Sequence, residues 1–296
     1  MHKTVLLQSS IEGLGIKTGD TFLDCTLGGG GHSEMVLKEF GDKVRVIGLD
    51  LDDKALDRSK IRLLSISSSV TFFKESFRNL DKVLDKLGLK SVNKILFDLG
   101  LSSNQFEESG RGFTFQKDEP LLMTFKENIS LGDITAEEIV NNWDEENIVA
   151  ILEGYGEERF AKRIARAIVV ERKNKLIKTT FDLVGVVKLA TPKFYHRMKI
   201  HPATKTFQAL RITVNDEIES LKEGIAKGFE RLSPKGRIAI ISFHSLEDRV
   251  VKNYFREKSK AGEAVLITKK PIMPTREEIL ENPRSRSAKL RILEKI

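Results

Sequence analysis

Acids at strand ends and a run of glycines hold most of the chemistry visible in this sequence. The stretch Asp24-Cys25-Thr26-Leu27-Gly28-Gly29-Gly30-Gly31-His32-Ser33 follows the apolar run Thr21-Phe22-Leu23 and leads into a helical pattern at 35–40. A second apolar run, residues 44–49, ends in Asp50. Glycines let the chain turn sharply and let a ligand lie against bare main chain. An acid at the tip of the second strand, about 20 residues past the turn, can accept hydrogen bonds from a ribose diol. The first reading is a nucleoside-containing ligand, and the plainer one is a tight strand-to-helix turn. A dinucleotide wants its pyrophosphate on a helix N-terminus and a glycine late in the turn. Here the late position is Ser33, and Asp24 stands just before the glycines. A carboxylate there is ill suited to a pyrophosphate but suits an ammonium or sulfonium group. S-adenosylmethionine carries both and fits better than NAD. A third acid, Asp98, closes Ile95-Leu96-Phe97-Asp98. Strand ends of this kind line the ligand crevice of open α/β sheets, so Asp98 is expected where substrate meets cofactor. The plainer reading is an acid that caps the following turn.

Placing these residues together requires alternating strands and helices. Strands are predicted at 21–26, 44–50, 70–74 and 94–98, with helices near 4–13, 33–40, 53–64 and 77–87. That alternation implies a parallel sheet with right-handed crossovers. Residues 100–120 then form a long connection carrying the aromatics Phe113 and Phe115, and such a loop at a strand's carboxyl end is commonly functional. Helices are predicted near 135–142, 145–155, 157–172 and 180–190. In the third, Phe160, Ile164 and Ile168 make an apolar stripe, while Arg159, Lys162, Arg163 and Arg166 fall on other faces. The α/β pattern resumes near Phe207 with a helix at 216–232, a strand at 237–242, a helix at 247–257, and strands at 264–268 and 287–295. The expected class is α/β, one sheet interrupted by a helical insert, with residues 1–108 and 206–296 forming the sheet domain and 109–205 the insert.

The chain has 296 residues, enough for a large core or two domains, and 40% hydrophobic with 31% charged residues marks a soluble globular protein. No apolar stretch approaches a membrane span, and Val5-Leu6-Leu7 is too short for a signal peptide. One cysteine excludes an internal disulfide framework and suits a reducing cytosol. Cys25 reads as a small residue closing a strand, because no base is placed to activate it. The five histidines and one cysteine show no metal-ligand spacing. A net charge of +7 favours a polyanionic partner. Its distribution says more: 183–215 contains no acid, in a chain with 43 of them, yet holds Lys188, Lys193, Arg197, Lys199, Lys205 and Arg211. Arg284, Arg286, Lys289 and Arg291 likewise come without an intervening acid. Both stretches are expected to form phosphate-binding surface.

Longer motifs recur together. They are Gly-Gly-His at 30–32, Asp-Leu-Gly-Leu-Ser-Ser at 98–103, Arg-Gly-Phe-Thr-Phe at 111–115, and Tyr-Gly-Glu-Glu-Arg-Phe-Ala-Lys-Arg-Ile-Ala at 155–165. His-Pro-Ala-Thr-Lys-Thr-Phe-Gln-Ala-Leu-Arg at 201–211, Ser-Phe-His-Ser-Leu-Glu-Asp-Arg at 242–249 and Asn-Pro-Arg-Ser-Arg-Ser at 282–287 follow in order. With these motifs the chain resembles the bacterial ribosomal RNA small-subunit methyltransferase H family, from His2 almost to the end. The resemblance implies a class I, Rossmann-like methyltransferase sheet with an RNA-facing helical insert. It implies methyl transfer from S-adenosylmethionine to the exocyclic N4 amine of one cytidine in small-subunit ribosomal RNA, with the ribosomal subunit as partner and no membrane or metal. The cofactor positions it implies are Gly30, Gly31, His32, Asp50, Phe77, Asp98 and Gln105. One departure stands out: the family continues Pro-Leu-Asp-Met-Arg-Met where this chain has Pro120-Leu121-Leu122-Met123-Thr124-Phe125, so an acid and a base are missing together.

A cytosine exocyclic amine is a poor nucleophile because its lone pair is delocalised into the ring. Catalysis therefore needs positioning, an acceptor for the amine hydrogens and extrusion of the base into a pocket. Asp98 is the expected acceptor. Ser102 and Ser103 are placed to bond the base edge, and Phe113 and Phe115 to stack on it or to pack in the core. Two rival readings differ in their ligands. An oxidoreductase of similar fold would bind NAD and ignore RNA, and a non-catalytic assembly factor would bind RNA and transfer nothing.

Overall fold

The computed structural model describes residues 4–100, 109–126, 128–130 and 132–296. It divides into two compact units, one of Met1–Gly100 with Ile218–Ile296 and the other Leu101–Glu217.

The first unit is built on strands β1 (Thr21–Asp24), β2 (Arg45–Asp50), β3 (Val70–Lys74), β4 (Val92–Asp98), β5 (Leu232–Ser242), β6 (Ala264–Leu266) and β7 (Lys289–Lys295). They form one seven-stranded sheet in the order β3-β2-β1-β4-β5-β7-β6. The first five strands in that order run parallel, and β7 is antiparallel to both β5 and β6. Its helices are α1 (Leu7–Leu14), α2 (Gly31–Phe40), α3 (Asp53–Leu64), α4 (Leu80–Lys86) and, after the second unit, α10 (Glu217–Glu230), α11 (Ser245–Lys260) and α12 (Arg276–Glu281).

Alternation along each central strand sorts side chains onto two faces. Phe22, Val46, Leu96, Ala239 and Ile241 pack with Leu14, Val36 and Leu63 from α1, α2 and α3. Leu23, Ile47, Ile95, Phe97 and Ile240 pack with Leu84, Ile225 and Phe255 from α4, α10 and α11. Burial on both sides explains why these strands read as continuous apolar runs.

The second unit contains α5 (Ala136–Asn142), α6 (Glu145–Gly154), α7 (Ala161–Glu171), α8 (Thr180–Ala190) and α9 (Thr204–Asn215). Ile139, Ile148, Leu152, Ile164, Ile168, Leu183, Val187, Phe207 and Leu210 share its core. Ile164 and Ile168 of the predicted stripe lie on the buried face of α7, while Phe160 precedes the helix and is half-buried. Phe113 joins that core, 5% exposed and stacked on Phe125 with centroids 5.5 Å apart. Phe115 lies face to face with His201 at 4.6 Å and edge-on to Phe207 at 5.3 Å. Of the two readings open for these rings, core packing describes their contacts, with Phe113 buried in the core and Phe115 half-buried against it.

The segment 120–125 is held by main-chain, amide and guanidinium hydrogen bonds. Met123, with φ 55°, donates its N–H to the Arg111 carbonyl at 2.7 Å. Asn215 donates from Nδ2 to the Met123 carbonyl and accepts from the Phe125 N–H, both at 2.8 Å. The Arg111 guanidinium donates to the carbonyls of Phe125 and Lys126. Thr124 is buried, and its hydroxyl oxygen accepts from the Lys126 N–H. These contacts hold the loop without a charge at position 122 or 124.

Candidate active site

The site lies at the carboxyl ends of β2, β1 and β4. β1 is flanked by β2 on one side and β4 on the other, so connections diverge there and the strand ends leave a crevice. Asp24 pairs in register with Gly48 of β2 and Leu96 of β4. Asp50 and Asp98 each stand two residues beyond those partners, so three carboxylates gather at adjacent strand ends. The backbone beyond β1 stitches the ends together. Cys25 N–H donates to the Leu96 carbonyl at 2.9 Å, Leu27 N–H to the Leu49 carbonyl at 2.8 Å, and Asp98 N–H to Thr26 Oγ1 at 2.6 Å.

Asp24 is 1% exposed. Its carboxylate accepts from Ser33 Oγ at 2.7 Å and from the Thr26 N–H at 3.3 Å. Burial pushes its pKa up to about 6, against the pull of those donors, and Asp50 adds to the rise. Asp98 is pushed up to about 7, first by burial and then by the Asp24 charge. The Gly100 N–H donates to this carboxylate and opposes the rise, while Oδ1 is sealed from solvent with no hydrogen-bond partner among the described residues. Burial also raises Asp50, although its carboxylate accepts from the Gly28 N–H at 2.7 Å and the Asp52 N–H at 2.9 Å. No lysine or arginine pairs with any of the three among the described residues.

The glycine turn is specified position by position. Gly28 and Gly30 have φ of 51° and 73°, which L side chains rarely adopt. A Cβ on Gly30 would lie 3.3 Å from Leu63 and Ser59, and one on Gly31 would lie 1.8 Å from Thr4 Oγ1. These two glycines thus make room for helix packing. Gly29 has open space where a Cβ would go, so its main chain is the part left bare. Ser59 Oγ donates to the Gly28 carbonyl at 2.6 Å and Arg62 to the Gly29 carbonyl at 3.0 Å, which fixes the turn. His32 is buried in the first turn of α2.

Phe77 follows β3 and is half-buried. Its ring meets Phe97 edge-on at 5.5 Å, and a Cβ on Gly224 of α10 would come within 2.7 Å of it. Beside β4, Phe243 packs where a Cβ on Gly100 would sit, at 2.8 Å. Glu247 stabilises the following α11 by accepting from the N–H groups of Phe243 and His244. Ser102, Ser103 and Gln105 lie outside the described residues.

The structure thus brings Gly30, Gly31, His32, Asp50 and Asp98 to one end of the sheet, with Phe77 at the end of β3. Sequence reasoning missed Thr26, Ser33 as the partner of Asp24, Ser59 and Phe243. Serine and threonine hydroxyls acquire these roles only through tertiary placement. Phe243 was legible only as part of a longer motif.

What such an arrangement can do follows from its charge. A crevice with uncompensated carboxylates, bare glycine backbone and an acidic tip on the second strand accepts a ligand with a cationic centre and hydroxyls. Similarity to known proteins runs in the same direction. The chain is 44% identical over 310 aligned positions to a Ribosomal RNA small subunit methyltransferase H from Brevibacillus brevis, covering 100% of this chain and 98% of that relative. It is 43% identical over 310 positions to the protein of the same name from Clostridioides difficile, covering 100% of this chain and 99% of the relative. The MraW methylase family model matches residues 1–296, end to end across both units, and the chain belongs to that family.

Proposed function

We propose that this chain transfers a methyl group from S-adenosylmethionine to the exocyclic N4 amine of one cytidine in small-subunit ribosomal RNA. The observation that carries the reading is the trio Asp24, Asp50 and Asp98, gathered at adjacent strand ends with no paired cation among the described residues. Carboxylates held in that state lack only a positively charged ligand. When bound, S-adenosylmethionine supplies a methyl group on a positively charged sulfur.

The residues divide the work. Asp50 keeps lone-pair capacity beyond its main-chain donors and accepts hydroxyls of the ribose. The bare main chain at Gly29 admits the ligand closely, with Gly30, Gly31 and His32 holding the turn. Phe77 offers an apolar wall for the adenine at the end of β3. Asp98, at the end of β4, accepts a hydrogen of the target amine through its carboxylate, which draws the lone pair out of the ring. A carboxyl held at about 7 can take up and release that proton near neutral pH. Ser102, Ser103 and Gln105 belong to the same site by family resemblance. The sheet unit is the cofactor domain, and the helical unit faces the RNA through its acid-free stretch. Cys25 is a buried free thiol, in keeping with a reducing cytoplasm. No helix among the described residues is long and apolar enough to cross a membrane.

The test is transfer of labelled methyl from S-adenosylmethionine to small ribosomal subunits, followed by nucleoside analysis. Label on a cytidine N4 is the expected result. A folded protein that binds the RNA yet moves no label would be an assembly factor, and the methyl-transfer reading would fall.

A further inference from the structure

The second unit carries an exposed cluster that the chemistry above does not use. Arg159 lies over three rings at once, with its guanidinium carbon 4.9 Å from the Phe160 centroid, 5.2 Å from Phe194 and 4.9 Å from Tyr195. It also donates to Met198 Sδ at 3.5 Å. Phe160 meets Phe194 and Tyr195 edge-on, at 6.2 and 5.0 Å. Tyr195 anchors the cluster from below, 7% exposed, and its hydroxyl donates to Glu158 at 2.7 Å. Phe194 and Met198 instead remain 57% and 51% exposed. Large apolar groups left in water this way mark an interaction surface when they come clustered.

The charge around them selects the partner. Lys193, Arg197 and Lys199 are exposed beside these residues in the chain, and no acid pairs with them among the described residues. The acid in contact with the cluster, Glu158, is 2% exposed and already engaged by Tyr195. An acidic partner surface would pair with the cations but leave the exposed ring of Phe194 without a flat group to stack on it. Aromatic rings with an arginine plane, interleaved with unpaired cations, match a polyanion whose flat bases are free to stack. Duplex RNA hides those faces.

We infer that Phe194 and Arg159, with Lys193, Arg197 and Lys199, dock an unpaired stretch of RNA, bases on the ring and phosphates on the cations. This rests on RNA being the substrate and specifies which form of it the helical unit grips. The two ideas fail separately in one experiment on the full-length chain. The probes are a short unstructured labelled RNA oligonucleotide, the same sequence as a duplex, and small subunits with labelled methyl donor. Wild type should prefer the single strand. Phe194→Ala should weaken single-strand binding by about tenfold with the salt slope unchanged, and Phe194→Trp should restore it. Lys193→Glu with Arg197→Glu should weaken binding and lower the salt slope by about 0.7 for each phosphate left without its cation. Cofactor affinity should stay constant throughout. Equal binding of single strand and duplex, or wild-type binding by Phe194→Ala, would overturn the surface. So would a wild-type dimer that Phe194→Ala dissolves with RNA affinity intact, because a second copy would then cover the face. A wild type that shows the expected oligonucleotide behaviour but transfers no methyl group supports the surface and overturns the methyl-transfer reading.

Discussion

At the residue scale, the buried Asp98 carboxyl couples the stability of the fold to pH. Its folded pKa of about 7 lies above the ordinary 3.8, so burial disfavours the charged form. The stability linked to its protonation is full below 3.8 and is lost as pH rises through about 7. Asp98→Asn removes that loss. We expect the ligand-free variant to be more stable than wild type at pH 8 by on the order of 1 kcal/mol or more, with a flatter stability–pH curve. Methyl transfer should fall by roughly 100-fold or more if Asp98 polarises the amine. Thermal melts across pH and single-turnover rates on the same variant check both halves. A variant less stable than wild type at pH 8 would show that the carboxylate is satisfied in the folded state. Gly30→Ala makes the opposite case, since φ of 73° and a Cβ 3.3 Å from Leu63 both oppose it. Denaturant unfolding should show a loss of about 1–2 kcal/mol.

At the scale of elements, two contacts decide whether the site is held. Ser33 in the first turn of α2 donates to the buried Asp24 carboxylate. Ser33→Ala should cost about 1–3 kcal/mol, because a buried acceptor is deprived of its closest donor. NMR titration should also find Asp24 shifted above about 6. On the other side, α11 is tied to β7 by Asp248, which accepts from Arg291 Nε at 2.7 Å and from Lys289 Nζ at 3.2 Å. Arg291→Met leaves that acid, 9% exposed, with one lysine. Unfolding midpoints should record a loss of about 3 kcal/mol or more, far beyond what an exposed ion pair such as Lys60 with Asp57 is worth. Element boundaries differ from their predicted places for similar tertiary reasons. α1 begins at Leu7, since Leu6 is left-handed at φ 48° and its N–H donates to Glu278 at 2.7 Å. β5 begins at Leu232, with Ser233-Pro234-Lys235-Gly236 inside the strand at a register break opposite Val92 and Lys94. α7 starts only at Ala161, after Glu157 turns left-handed at φ 48°. α12, exposed and highly charged, has no apolar periodicity to announce it.

For the whole molecule, the carboxylates act as one field because three strands deliver them to the same end. Lowering the pH through about 7 and then about 6 protonates Asp98 and Asp24, which are electrostatically coupled. Affinity for S-adenosylmethionine should therefore fall on acidification, by up to about tenfold per pH unit for each linked proton. Binding near neutral pH should release protons. Calorimetry in buffers of different ionisation enthalpy measures that release directly. Binding without proton release between pH 6 and 8 would mean the carboxylates stay charged in the free protein. Asp50→Ala should weaken binding by about 1.5–3 kcal/mol, as removal of a charged acceptor does.

The sequence alone determined the alternating elements, the glycine turn, the strand-end acids and the interrupted sheet. Local periodicity and backbone freedom write those features directly into residue order. What each glycine packs against was decided by tertiary structure, because a Cβ on Gly30 or Gly31 would meet Leu63 or Thr4, residues distant in the chain. The same holds for Phe113 and Phe115, for which residue order left both base stacking and core packing open, and tertiary contacts place them in or against the helical core. It holds above all for the coupling of Asp24, Asp50 and Asp98. Electrostatic interaction depends on distance in space and on burial. Parallel pairing of β2, β1 and β4 supplies both, and no spacing along the chain encodes them.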